Sequence, residues 1–295
     1  KIKKINENQY RVLLMGDSFI EGTGYDYEHT ISGLLADYLG KNFEVLNSGV
    51  QSYSPSIYYH KIKYFLSIGY KFDQVLVFLD ISDIYDEKFI KLDEDKNIIS
   101  PEKKEKKNIF KKSFYKFGNL LRDNFVTFNL LSALSNRTEI IKNYIKNKKK
   151  ASKTFNKSFF ETNSEDVAFY RMTHVDRGFW TYDEEKYNQV EKSLKQADYF
   201  LLKLFELLKD NSIKGTLIIY PWPAQILYGD NYHEPYWNSF ADKNEINFTS
   251  TYNKFESSNP KKIILDNFIH NDVHWNKYGT KLILEALIEN NIIDK

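Results

Sequence analysis

The chain has 295 residues, enough for one large domain or for one domain carrying a big insertion, and its 42% apolar content allows a sizeable core. It has no run of 18 apolar residues, and it has no cysteine, which excludes disulfides, thiolate metal sites and cysteine nucleophiles. The net charge of +2 hides an asymmetry: residues 101–157 hold 16 Lys and Arg against 4 Asp and Glu, so a basic block sits on an acidic remainder.

Along the chain, the apolar run 11–15 ends at Gly16 and predicts a buried strand. Residues 30–40 have helical spacing between a capping Thr30 and a terminal Gly40. A second strand is expected at 43–46, a helix capped by Ser54 or Ser56 at 56–68, and a third strand at 74–79. That third strand is rich in β-branched and apolar residues, as burial on both faces requires. The β-α-β-α-β rhythm breaks after Glu87. Residues 101–157 are lysine-rich, with apolar residues at helical spacing. The rhythm returns with a long amphipathic helix at 184–209, a strand at 215–220, a strand-like run at 262–265 and a closing helix at 277–290. The expectation is an α/β fold: a three-layer α/β/α sandwich around a parallel sheet of about five strands. Residues 1–87 and 176–295 would form the core, and 88–175 a lysine-rich helical insertion or cap.

Two short motifs carry chemistry. Gly16-Asp17-Ser18 directly follows the first strand, and parallel α/β sheets bind ligands beyond the carboxyl ends of their strands. Asp272-Val273-His274 lies just before the last helix. A serine hydroxyl needs a base to take its proton, and the base needs a partner that fixes its tautomer. Ser18, Asp272 and His274 supply those groups in the chain order used by α/β serine hydrolases.

Four segments taken together, 15–22 (MGDSFIEG), 46–55 (LNSGVQSYSP), 78–83 (FLDISD) and 272–279 (DVHWNKYG), resemble the four blocks of the SGNH, or GDSL-type, serine esterases and acyltransferases, in the same order. The resemblance implies a flavodoxin-like SGNH hydrolase fold with Ser18 as nucleophile and Asp272 and His274 completing the triad. It implies an oxyanion hole of the Ser18 and Gly49 N–H groups, with Ser82 standing where the third block (G-x-N-D) has asparagine. Asn47 and Gln51 are nearby in sequence as other donors. The D-x-H-W spacing is similar to the branch that O-acetylates bacterial polysaccharides, which leans toward acyl groups on carbohydrate. No cofactor or metal is implied.

Asp17, Asp83, Trp222 and Trp275 are candidate substrate contacts. The segment Tyr220-Pro221-Trp222-Pro223 ends a strand on the expected site edge, where an aromatic face would stack on a sugar ring, or else pack under a turn. Asp80 or Asp83 could equally cap the segment that follows. His29, His60, His174, His233 and His270 lack metal-site spacing and are expected to be surface or core residues. The basic block could bind an acidic polymer or a membrane surface, or be a solvated helical face; nucleic acid is the least favoured partner because no binding motif accompanies the lysines. The start at Lys1 and the polysaccharide-type block lead to an expectation of an extracytoplasmic location, with a leader or anchor removed. An alternative to the enzyme is a catalytically impaired SGNH-like carbohydrate-binding module in envelope polysaccharide assembly.

Overall fold

In the computed structural model, residues 9–99 and 164–293 are described. Residues 100–163, which contain the whole basic block, lie outside them.

Strand β1 (Tyr10–Met15) runs into a short helix α1 (Ser18–Glu21), followed by α2 (Ile31–Leu39), β2 (Phe43–Asn47) and α3 (Pro55–Ser67). Next come β3 (Gln74–Leu79) and α4 (Ile81–Glu87). After the break, α5 (Ser164–Thr173) leads to the 27-residue α6 (Glu184–Asp210), β4 (Lys214–Ile219), α7 (Pro223–Tyr228) and α8 (His233–Lys243). Strand β5 (Asn247–Ser250), α9 (Pro260–Asn267) and α10 (Lys277–Glu289) complete the order. The sheet order is β2-β1-β3-β4-β5, and every pairing is parallel. The chain order reverses beside β1, which makes the crevice beyond the carboxyl ends of β1 and β3 the place where such sheets bind ligands.

Burial explains which runs became central strands. Val12, Leu14, Met15 and all six residues of β3 are inaccessible, and each fully buried large apolar side chain contributes about 1.5–3 kcal/mol. Gln74, the polar member of β3, donates its amide to the Ile292 carbonyl at 2.8 Å, so its burial is partly compensated. Helix α6 buries one face, from Val190 through Leu194, Leu201 and Leu204 to Leu208. Its first turn is capped by Asp183, which accepts the Lys186 N–H at 2.9 Å.

Two expectations need correction. The run at 262–265 is helical, within α9: Asn259 accepts the Lys262 N–H at 3.1 Å and Pro260 takes the first helical turn, so local capping overrides a short apolar run. The fifth strand is instead Asn247–Ser250, an edge strand in which only Thr249 is buried, so it carries no apolar signature. The core also extends past the expected boundaries. The chain stays in the unit to Ile99 and re-enters it at Ser164, with Ala168 and Met172 of α5 buried.

Candidate active site

Two loops at the carboxyl edge of the sheet bring the site together. The first follows β1. Asp17 caps α1 by accepting the Phe19 N–H at 3.0 Å, which fixes Ser18 as the first residue of the helix. The loop after β2 crosses close behind: a Cβ on Gly49 would stand 2.3 Å from the Glu21 nitrogen and 2.5 Å from the Ile20 carbonyl carbon, so only glycine fits.

The second loop joins α9 to α10. The Asp272 N–H donates to the Ile269 carbonyl and the Ile269 N–H to the His274 carbonyl, both at 2.9 Å, with Asn271 in the left-handed region at φ 68°. Asparagine is among the side chains that tolerate that conformation best. Asn276 then caps α10 through the N–H groups of Tyr278 and Gly279, and its amide donates to the Asp266 and Phe268 carbonyls. Gly279 is needed here, because a Cβ would stand 2.2 Å from the Asn267 oxygen. The loop is thereby clamped at both ends.

The result is a relay. Ser18 Oγ lies 2.8 Å from His274 Nε2, and His274 Nδ1 lies 2.6 Å from Asp272 Oδ1, which also accepts the His274 N–H at 3.1 Å. Phe19 packs on the imidazole with ring centroids 4.4 Å apart, and Phe19, Tyr220 and Trp275 pack against one another beneath it. Burial by itself would lower the His274 pKa. The Asp272 hydrogen bond and charge, with Asp17 and Asp80 behind, outweigh it and raise it above the ordinary imidazole range. The same bond to His274 holds Asp272 below the usual carboxylate range, against its partial burial. A hydroxyl, a base and an orienting carboxylate in hydrogen-bond sequence can deprotonate the hydroxyl as it attacks a carbonyl.

The structure treats the other expected residues differently. Ser82 cannot act as a third oxyanion donor as it stands: its hydroxyl donates to Asp80 Oδ1 at 2.6 Å within the start of α4. Gly49 N–H donates to Asn47 Oδ1 at 2.8 Å, and the Asn47 amide donates to the Ile20 carbonyl, so both are engaged in bracing the loop against α1. Gln51 N–H is likewise held, by Glu21 at 2.9 Å.

Trp222 is not a stacking surface. It is 1% exposed, and its indole N–H donates to Asp80 Oδ2 at 2.7 Å. Asp17 and Asp83 are also buried, and Trp275, almost wholly buried, reaches only the wall of the cavity beside Ser18. Asp80 and Asp83 form a capping box on α4, in which Asp80 accepts the Ser82 N–H at 2.8 Å and Asp83 accepts the Asp80 N–H at 3.0 Å. His233 is a core residue, with Nδ1 2.9 Å from the Tyr252 hydroxyl.

Sequence reasoning gave no weight to the company these acids keep. Carboxylate oxygens of Asp17, Asp80 and Asp83 lie within 4.8 Å of one another, the one such grouping among the described residues close enough to hold a metal ion. Their oxygens are already largely committed to the protein's own N–H and O–H groups. The available signal was the spacing Asp80-x-x-Asp83 directly after a fully buried strand.

A small cavity opens beside Ser18 and His274. It has a volume of about 20 Å³ and is walled by Tyr25, Thr30, Trp275 and Thr280 among others.

No protein-family model matches the chain, and no curated protein matches it. Among solved structures, the chain is similar to a carbohydrate acetylesterase family member from Sinorhizobium meliloti, at 10% identity and a TM-score of 0.46, over 96% of this chain and 98% of that one. It is similar to the psychrotrophic esterase EstA from Pseudoalteromonas sp., at 10% identity and a TM-score of 0.47, over 97% and 100%. It is also similar to a member of the lipolytic protein G-D-S-L family from Veillonella parvula, at 12% identity and a TM-score of 0.42, over 95% and 97%.

Proposed function

We propose that the chain is a serine-dependent acyl-ester hydrolase or O-acyltransferase, acting on short acyl groups of carbohydrate through an acyl-enzyme on Ser18. The observation that carries this reading is the unbroken relay Ser18–His274–Asp272 at the carboxyl edge of the sheet. Ser18 Oγ attacks the ester carbonyl while its proton passes to His274 Nε2, and Asp272 holds the imidazolium that forms. The tetrahedral oxyanion needs preorganised donors, each supplying about 3–4 kcal/mol of barrier reduction. The Ser18 N–H, an orphan donor at the start of α1, is one. Gly49 N–H becomes a second once the Asn47 amide turns away; catalytic hydrogen bonds often tighten only when substrate binds. His274 then returns the proton to the leaving alcohol. Water or a sugar hydroxyl resolves the acyl-enzyme, and no cofactor enters.

A short acyl group is the expectation because only a small hollow opens beside Ser18 and His274. Carbohydrate as the alcohol rests on the Asp272–Trp275 block. The same reading gives the protein an extracytoplasmic location, with an acidic polymer or membrane surface facing the basic block.

Turnover of p-nitrophenyl acetate by the wild type and by Ser18→Ala tests the proposal. Turnover that disappears with Ser18, and that falls steeply from acetate to hexanoate, is the expected result. Acylated oligosaccharide detected by mass spectrometry would separate transfer from hydrolysis. The engagement of Gly49 N–H and the Ser82 hydroxyl favours a second reading, a catalytically impaired carbohydrate-binding module. Sugar binding with no turnover in either protein selects it.

A further inference from the structure

We propose that Asp17, Asp80 and Asp83 hold at least one proton between them behind Ser18, and that Asp17 is a positioning residue whose protonation state directs the Ser18 hydroxyl toward His274. The inference rests on Ser18 being the nucleophile. The three acids are 2%, 0% and 1% exposed, and no lysine or arginine forms an ion pair with any of them among the described residues. Three like charges this close, removed from water and with no lysine or arginine paired to them, resist full ionisation; such groups share protons and titrate as a unit.

The hydrogen bonds assign the members. Asp80 receives three donors, from the Ser82 nitrogen, the Ser82 hydroxyl and the Trp222 indole, and so is the carboxylate. Asp83 Oδ2 accepts the Asp80 N–H at 3.0 Å and the Tyr58 hydroxyl at 2.8 Å, whereas Asp83 Oδ1 is buried with no partner. An ionised oxygen would be orphaned there, and burying an unpaired charge costs far more than burying a neutral carboxylic acid. Burial first, then the charges of Asp17 and Asp80, push Asp83 well above the carboxylate range. Asp17 is pushed up to about 7, by burial and then by Asp80.

The titratable groups that act with Asp17 are Asp80 and Asp83 at α4, Tyr58 on α3, Tyr220 after β4 and His274 on the loop before α10. Burial raises both tyrosines well above their ordinary value, so they stay neutral.

Ser18 has one hydroxyl proton and two acceptors, His274 Nε2 at 2.8 Å and Asp17 Oδ2 at 3.1 Å. Ionised, Asp17 competes with His274 for that proton. Neutral, Asp17 donates its own O–H to Oγ, and the Ser18 proton is left to His274 alone. On attack, the Oγ–carbon bond forms, the carbonyl pair moves to oxygen and the Ser18 proton passes to His274 Nε2; the Asp17 proton stays on Asp17. Ionised Asp17 also favours the imidazolium, so removing its charge lowers the pH at which His274 becomes a base.

Asp17→Asn and Asp17→Ala separate these roles, because the asparagine amide donates to Oγ as the neutral acid does. The expected result is that Asp17→Ala loses about 10²-fold in kcat with KM little changed, and that Asp17→Asn restores most of the loss. The acidic limb of kcat/KM, and His274 ring titration by NMR, should both stay close to their wild-type positions in Asp17→Asn, because the amide replaces an acid that is already neutral there. Infrared spectra of the wild type at neutral pH should show a carboxylic-acid carbonyl band that weakens in Asp83→Asn. A His274 titration that drops well below the wild type's in Asp17→Asn, as loss of a full charge would give, or no acid carbonyl band in the wild type, overturns the proposal. Neither measurement needs turnover, so a chain with no esterase activity would defeat the functional reading while these readouts still decided the cluster.

Discussion

Two aspartates reach toward the same serine–histidine pair from opposite sides, and their surroundings give them opposite chemistry. Asp272 sits on the open rim, its side chain 45% exposed, and its bond to His274 keeps it an anion. Asp17 is wholly buried against two further acids and is pushed toward neutrality. The residue type is identical; water on one side and like charge on the other decide which acid holds a proton. Such a pairing of divergent carboxyls is what places acid and base roles within one site.

The contrast can be broken most severely at the group both acids address. His274→Ala should lower kcat for p-nitrophenyl acetate by up to about 10⁶-fold, the scale seen when a triad base is removed. Fluorescence-monitored urea unfolding should show the fold intact, because the imidazole is held at the site's surface by few partners. A comparison of stabilities sharpens the contrast next. Asp80→Ala removes the acceptor for the Trp222 indole and for Ser82, and should destabilise by about 1–3 kcal/mol for each buried donor left unpaired. Asp272→Ala, on the half-exposed rim, should cost under about 1 kcal/mol.

Stability against pH gives a third, smaller effect. A buried acid raised from 3.8 to about 7 keeps its proton in the folded state while the unfolded chain has lost it. The folded state then binds more protons, so stability falls as pH rises across that window, by up to about 1.4 kcal/mol per pH unit for one such group. The contribution is fully present below the unfolded value and is lost by the time pH passes the folded one. Asp17→Asn should flatten that decline; equal slopes in the two proteins would contradict the raised value. Asp272, lowered by its partner, acts in the other direction: its contribution is present above the unfolded carboxylate value and is lost as pH falls through its depressed one. A single hydrogen bond to the cluster is probed by Tyr58→Phe. It removes one donor to Asp83 and should cost about 1 kcal/mol in the same unfolding assay.

Much of the frame was legible in the sequence because local patterns carried it. Continuous apolar runs marked β1, β3 and β4, which are buried on both faces. Thr30 and Gly40 bounded α2, and the long period of apolar residues drew α6. Ser18, Asp272 and His274 were readable because two short motifs, each weak alone, fall in a series of four segments that resembles the SGNH blocks in order. Strand β5 was not legible, since an edge strand with one buried residue has no apolar period, and the apolar triplet at 262–265 looked like the missing strand until Asn259 and Pro260 were seen to start a helix there.

The sequence by itself therefore determined the central strands, most of the helices and, through the four-segment resemblance, the serine and its two partners, because strand burial, helix caps and short motifs are local quantities. Tertiary structure alone decided what the remaining polar groups do. Ser82 and Trp222 turned inward to a buried acid, Gly49 N–H went to Asn47, and Asp17, Asp80 and Asp83 came together from two loops. Burial and the distance between like charges depend on residues far apart in the chain, and they set which carboxyl keeps its proton.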